Sequence, residues 1–260
     1  SESTTYAIPE YQRPFAWKVD HAQEFWEDLQ TGPVFLGTFV FDVSNSDGGK
    51  IFVVDGQQRL TTIFIFLSAC SNQLRKLNAL NMVNMILEKL TFKDEITGDR
   101  EDTKLHASNS IREVFEATIT NPAWTNGKFV AKNKKRQISK IKPIYVFFEK
   151  MIADHSQDQL KDLIEHLYDS QVVRIELNDV TEAFEIFERT NARGVDLNTA
   201  DLVKNFLFSN KEADVNTDEI NEKWDSIVSN AQSNIQRMLK YFYVSKKGNS
   251  SRKDLFRNLK

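Results

Sequence analysis

The chain has 260 residues, a net charge of −3, 40% hydrophobic residues and one cysteine. This is the make-up of an ordinary soluble globular protein, long enough for one large domain or two modest ones, and its weakly acidic balance leaves only local sites for nucleic acid. One cysteine excludes an internal disulfide framework, no apolar run reaches ~18 residues and no signal peptide opens the chain, so a cytoplasmic protein without a membrane span is expected.

In chain order, residues 6–17 read as an extended segment punctuated by Pro9 and Pro14, because a proline disfavours helix at the residue before it. Asp20 is the expected cap of a helix to Gln30 that buries Phe25, Trp26 and Leu29. Val34–Val43 reads as a strand with Gly37 inside it, and the Ser, Asn, Asp and Gly of residues 44–50 read as a hairpin loop into a strand over Ile51–Asp55. A helix follows from Leu60 to Leu80, with Ile63, Phe64, Leu67, Leu74 and Leu77 on its apolar face and Cys70 as a buried thiol. Residues 81–170 read as mainly helical, with breaks near Thr97–Asp102 and Asn121–Gly127. Val172–Leu177 is the next strand, and Ala183, Phe184, Ile186 and Phe187 mark the helix after it. Asn191–Leu197 reads as a loop with Gly194 left-handed, and Thr199 as the cap of a helix over Ala200–Phe208. Residues 212–225 carry six acidic residues against one lysine, which suggests an exposed linker and the start of a further helical region. The 19 phenylalanines point to an aromatic-rich core.

The chemistry concentrates in Asp55-Gly56-Gln57-Gln58-Arg59, where a run of β-formers gives way to a helix. Gly56 can take a positive φ and lets the backbone approach a ligand. The unpaired N–H groups of the following helix, with its dipole, favour an anion. Arg59 adds a charged planar fork suited to phosphate oxygens. Asp55 would repel phosphate unless a metal or a water lay between them, which points to phosphate chemistry rather than a simple grip. The plainer alternative is an Asp-Gly turn followed by a solvated helix start.

Three segments in order resemble the N-terminal domain of GmrSD-like proteins, bacterial phage-defence systems that include modification-dependent restriction endonucleases. They are Ile8-Pro9-Glu10-Tyr11-Gln12-Arg13-Pro14-Phe15-Ala16-Trp17, then Val53–Thr62, then Phe187–Leu197 running on to Ala200–Asn205. The resemblance covers roughly residues 6 to 208. It implies an α+β fold like that of ParB and sulfiredoxin: a small mixed sheet with a large helical insertion at about 81–170 and a helical C-terminal part. Residues 1–210 would form the nucleotide-binding domain and 211–260 the start of a helical region. It further implies binding and hydrolysis of a nucleoside triphosphate (NTP), regulating DNA cleavage by an HNH-type nuclease. That nuclease is expected elsewhere, since His21, His106, His155 and His166 form no His-Asn-His cluster, and His155 and His166 read as helix-surface residues. The chain stops in mid-pattern, which suggests a truncated or split system, and a homo-oligomer is left open.

Within that frame, Gly56 and the amides of Gln57 and Gln58 would cradle phosphate and Arg59 would neutralise it. Asp55 would hold Mg²⁺ or orient the attacking water, a task Gln57 or Gln58 could share. Thr61 and Thr62 would cap the helix or touch phosphate, with capping favoured. Gln12, Arg13, Asn191, Arg193 and Gly194 would approach the nucleotide from the other two segments, although Phe15 and Trp17 packing and a simple left-handed turn at Gly194 explain those patterns too. Asp201 and Lys204 are more simply an ion pair on one helix face. Lys128–Lys142 holds seven lysines and arginines and no acid, so Lys134, Lys135 and Arg136 are candidate DNA contacts. Arg237–Lys260, with Tyr241, Phe242 and Tyr243, is a second basic stretch. The rivals are a non-enzymatic module that grips the DNA backbone and an interaction scaffold without chemistry.

Overall fold

The computed structural model describes residues 4–10, 12, 14–44, 49–93, 102–120, 134–179, 203–204, 217–231 and 234–248. Its contacts divide the chain into two units, residues 1–9 with 14–178, and residues 10–13 with 179–260.

The larger unit is built on a five-stranded mixed sheet in the order β4-β1-β3-β2-β5, where β1 is Thr5–Ala7, β2 Phe35–Asp42, β3 Lys50–Asp55, β4 Leu105–His106 and β5 Gln171–Leu177. The expected hairpin is present: β2 and β3 pair antiparallel, with Val40 opposite Asp55. The remaining pairings are parallel: β1 with β3, β1 with β4, and β2 with β5. Aromatic and β-branched residues at Phe39, Val40, Phe41, Val53 and Val54 are buried in β2 and β3, where both faces of those strands are covered, while Val172, Val173 and Ile175 of β5 are exposed. This architecture is α+β, as the sequence indicates.

Helix α1 spans Val19–Gln30 and buries Ala22, Phe25, Trp26 and Leu29. It starts one residue before the expected cap: Lys18 is the N-cap and Asp20 lies in the first turn, where its charge favours the helix dipole. Helix α2 spans Gln57–Lys76 and is the central helix of the unit, with Phe64, Ile65, Phe66, Leu67, Cys70 and Leu74 all buried. A helix apolar nearly all round is one enclosed by others. It contacts α3 (Leu80–Leu90), α4 (Arg112–Thr120), α5 (Lys135–Met151) and α6 (Gln157–Asp169). Leu77, expected on its apolar face, falls past its end and is exposed.

Long-range polar bonds fix this packing. Ser68 Oγ of α2 donates to the Thr118 carbonyl at 2.6 Å. Gln73 Nε2 donates to the Ala153 carbonyl at 2.7 Å. Helix α6 begins with a reciprocal cap, Ser156 N–H donating to Gln159 Oε1 at 2.9 Å while Gln159 N–H donates to Ser156 Oγ at 3.3 Å. The two histidines read as surface residues are both engaged. The His166 ring lies 3.0 Å from the Leu29 carbonyl, and His155, which sits between helices, meets the Trp26 ring edge-on at 5.7 Å.

The second unit contains α7 (Thr217–Ala231) and α8 (Ile235–Lys247), whose contact buries Trp224, Ile235 and Leu239 together with Val203. The helix over 217–231 takes up most of the acidic 212–225 stretch. The segments expected over 183–187 and 191–197, and both breaks of the 81–170 region, fall mainly or wholly outside the described residues. Among the described residues no helix is long and apolar enough to cross a membrane.

Candidate functional site

The turn from β3 into α2 carries Asp55 and Gly56. Gly56 has φ 92° and ψ 2°, the left-handed conformation open to a glycine, and acts as N-cap of α2. A Cβ at this position would run into the Phe39 ring, so the turn tolerates glycine for two reasons at once. Asp55 Oδ1 accepts the Gly56 N–H at 2.7 Å, and the Gly56 carbonyl accepts the Leu60 N–H at 2.9 Å. The helix therefore opens at Gln57, three residues earlier than the hydrophobic pattern suggests. Gln57, Gln58 and Arg59 form its first turn, where N–H groups have no acceptor inside the helix.

That earlier start corrects the reading of Thr61 and Thr62. Neither caps the helix; both lie in its second turn and are buried, and Thr62 Oγ1 has no hydrogen-bond partner among the described residues.

Arg59 folds back over the hairpin. One terminal guanidinium nitrogen donates to the Leu36 carbonyl and the other to the Thr38 carbonyl at 3.1 Å. The guanidinium also lies over the Phe39 ring, 5.0 Å from its centroid. Gly37, between the two accepting residues, has φ 89°, and a Cβ there would meet the guanidinium. The register of β2 shifts across this point, between Phe35 and Thr38 against β5, and again between Val40 and Phe41 against β3. Arg59 thus pins an irregular strand to the first turn of α2. Burial lowers the guanidinium pKa, and the Asp55 carboxylate opposes that shift. A guanidinium stays charged at neutral pH, and two carbonyls use only part of its five donors.

Gln58 is also committed. Its side-chain oxygen accepts the N–H groups of Ala16 at 2.9 Å and Trp17 at 3.1 Å, and its amide nitrogen lies 3.5 Å from the Pro14 carbonyl. The first motif and the second are therefore joined through one buried glutamine. Phe15 is buried beneath this strip, while Trp17 stacks on His21 with ring centroids 5.4 Å apart. Gln57 is buried as well. Asp55 remains half-exposed at the mouth of the turn.

The other expected contacts divide by placement. Gln12 is buried and belongs to the second unit. Arg13, Asn191, Arg193 and Gly194 lie outside the described residues. Of the candidate DNA contacts, Lys134 forms an ion pair with Glu113, while Lys135 and Arg136 open α5 as exposed cations. Among the described residues no group of three or more histidine, cysteine, aspartate or glutamate side chains could hold a metal ion. The sequence carried one hint of the Arg59 seat, the glycine inside an otherwise β-forming run; it gave no sign that Leu36 and Thr38 would supply the acceptors.

The turn thus carries the first-turn amides of α2, a half-exposed carboxylate at Asp55 and, folded back over β2, the Arg59 guanidinium, groups of the kind that bind phosphate and a cation. A family model described as the N-terminal domain of the GmrSD restriction endonuclease matches residues 1–208. No curated protein matches the chain significantly.

Proposed function

From the premise that the chain belongs to the GmrSD restriction endonuclease N-terminal domain family, which places it in a restriction system of the phage-defence kind, we propose that it binds and hydrolyses a nucleoside triphosphate at the β3–α2 turn and thereby regulates DNA cleavage. The observation that carries this reading is the half-exposed Asp55 carboxylate beside the amide end of α2. A negative group next to an anion site has a purpose when a cation or a polarised water sits between them.

Phosphate oxygens would meet the first-turn amides and the remaining N–H donors of Arg59. Mg²⁺ commonly takes one or two carboxylates with substrate phosphates and waters, so one carboxylate and no protein cage fits this ion. Asp55 would hold it, and when bound it would supply charge neutralisation on the phosphates. Gln57 or Gln58 would help orient the attacking water, and the Gln58 side chain also holds the 14–17 strip. A nucleotide-binding role for Gln12, Arg13, Asn191, Arg193 and Gly194, and the likeness to ParB and sulfiredoxin, belong to the same proposal.

The DNA and nuclease partners follow from the family. Local contact by Lys135 and Arg136 is the form this net-acidic chain allows, with Lys134 held back by Glu113. The alternative, a non-enzymatic grip on the DNA backbone, gives the Asp55 carboxylate no task beyond accepting the Gly56 N–H. Phosphate release from each of the four NTPs with Mg²⁺, with and without DNA, decides between them. Turnover supports the hydrolase; DNA binding with no turnover under either condition supports the grip.

A further inference from the structure

Beside the 14–17 strip lies a cavity of about 290 Å³ lined by Phe15, Ala16, Trp17, Lys18 and Val19 on one side and by Ser139, Lys140, Pro143 and Ile144 of α5 on the other. This is close to the lower end of the ~300–1,000 Å³ typical of small-ligand sites. Its walls are aromatic and aliphatic, two lysines stand at it, and no acidic residue lines it. Pro143 lies inside α5 and has no N–H, so the Ser139 carbonyl has no partner one turn on. The cavity therefore offers an apolar wall that includes the Trp17 ring, positive charge at Lys18 and Lys140, and, at the lining residue Ser139, a carbonyl without its usual helix partner. Further cations continue along the same helix at Lys135, Arg136 and Lys142, all exposed.

We propose that this cavity binds a phosphate-bearing nucleobase, supplied either as a free nucleotide or as a base unstacked from DNA. The base lies against the partly exposed Trp17 ring and Pro143, an exocyclic amino group donates to the Ser139 carbonyl, and Lys18 and Lys140 meet the phosphate. Occupancy is communicated to the β3–α2 turn, because the wall formed by Ala16 and Trp17 hangs from Gln58 in the first turn of α2. The site goes beyond the hydrolase reading and does not depend on it, since its binding is measured without turnover.

The test is equilibrium titration of the full chain, without Mg²⁺, against the four nucleoside 5′-monophosphates, ribose 5-phosphate and a short single-stranded oligodeoxynucleotide. Base stacking predicts that at least one monophosphate binds about tenfold or more tightly than ribose 5-phosphate. Ala16→Trp fills the cavity from an exposed position, and Lys18→Glu with Lys140→Glu reverses its charge; each should weaken binding about tenfold or more. A melting temperature measured alongside separates lost binding from lost fold, and the charge reversal carries the test if Ala16→Trp does not fold. Displacement of the monophosphate by the oligodeoxynucleotide identifies DNA as a source, and no displacement identifies free nucleotide. Binding that survives the folded variants, ribose 5-phosphate binding as tightly as the nucleotides, or no binding of any probe overturns the proposal.

Discussion

Replacing Gln58 with leucine separates the positioning role of this glutamine from any role in chemistry. Leucine keeps most of the buried volume but removes the acceptor that holds the Ala16 and Trp17 N–H groups at 2.9 and 3.1 Å. Each bond contributes about 1 kcal/mol net, and leaving a buried donor unpaired costs about 1–3 kcal/mol more. The strip is only part-buried, so water can reach at least one of the two donors. The expected loss is about 2–4 kcal/mol, or roughly 5–12 °C in the melting temperature of a unit this size. Amide hydrogen exchange reads the effect locally: the Ala16 and Trp17 amides should lose protection while those in the middle of α2 keep theirs. Unchanged exchange at both amides, with an unchanged melting temperature, would refute the claim that Gln58 suspends this strip.

Three further outcomes follow from the same geometry. Gly37→Ala places a Cβ against the Arg59 guanidinium at a φ of 89°, and should destabilise the larger unit by about 1–3 kcal/mol in denaturant unfolding. His106 has its pKa lowered by burial, with Lys50 and Arg112 adding to the shift and Asp102 opposing it. The unfolded chain, with its histidine pKa near ~6.5, then binds more protons than the folded one as pH falls below that value. Stability is therefore complete above about pH 6.5 and declines on acidification toward the folded pKa, and His106→Gln should flatten that slope in unfolding midpoints measured across the window. Lys135→Glu with Arg136→Glu should weaken DNA binding and reduce the salt dependence of the affinity by about two phosphate contacts, whereas Lys134→Glu alone should act mainly through its lost pairing with Glu113.

Much of the local structure is legible in the sequence because it depends on neighbouring residues. The β2–β3 hairpin, the buried face of α1, the β5 strand, the left-handed Gly56 and the buried Cys70 all rest on patterns a few residues long. The helix start at Gln57 was obscured because its cap is a glycine with no side-chain acceptor, leaving only the later hydrophobic rhythm to mark it. The roles of Gln58 and Arg59 were hidden for a different reason. Their partners lie 41–44 and 21–23 residues away, and those contacts exist only once the hairpin and the 14–17 strip have packed against α2. Polar residues in a phosphate-binding pattern look alike in sequence whether they face a ligand or hold the turn that faces it. In this turn the structure gives Gln58 and Arg59 clear holding roles and leaves Asp55 half-exposed.

The most direct test of the proposed hydrolysis is phosphate release by Asp55→Asn compared with the wild-type chain, in Mg²⁺ and with the NTP the wild type prefers. Asparagine retains the oxygen that accepts the Gly56 N–H, so the turn should keep its shape while the carboxylate charge is lost. The account predicts an unchanged melting temperature with turnover reduced by about 100-fold or more. Wild-type turnover that persists undiminished in Asp55→Asn would contradict it.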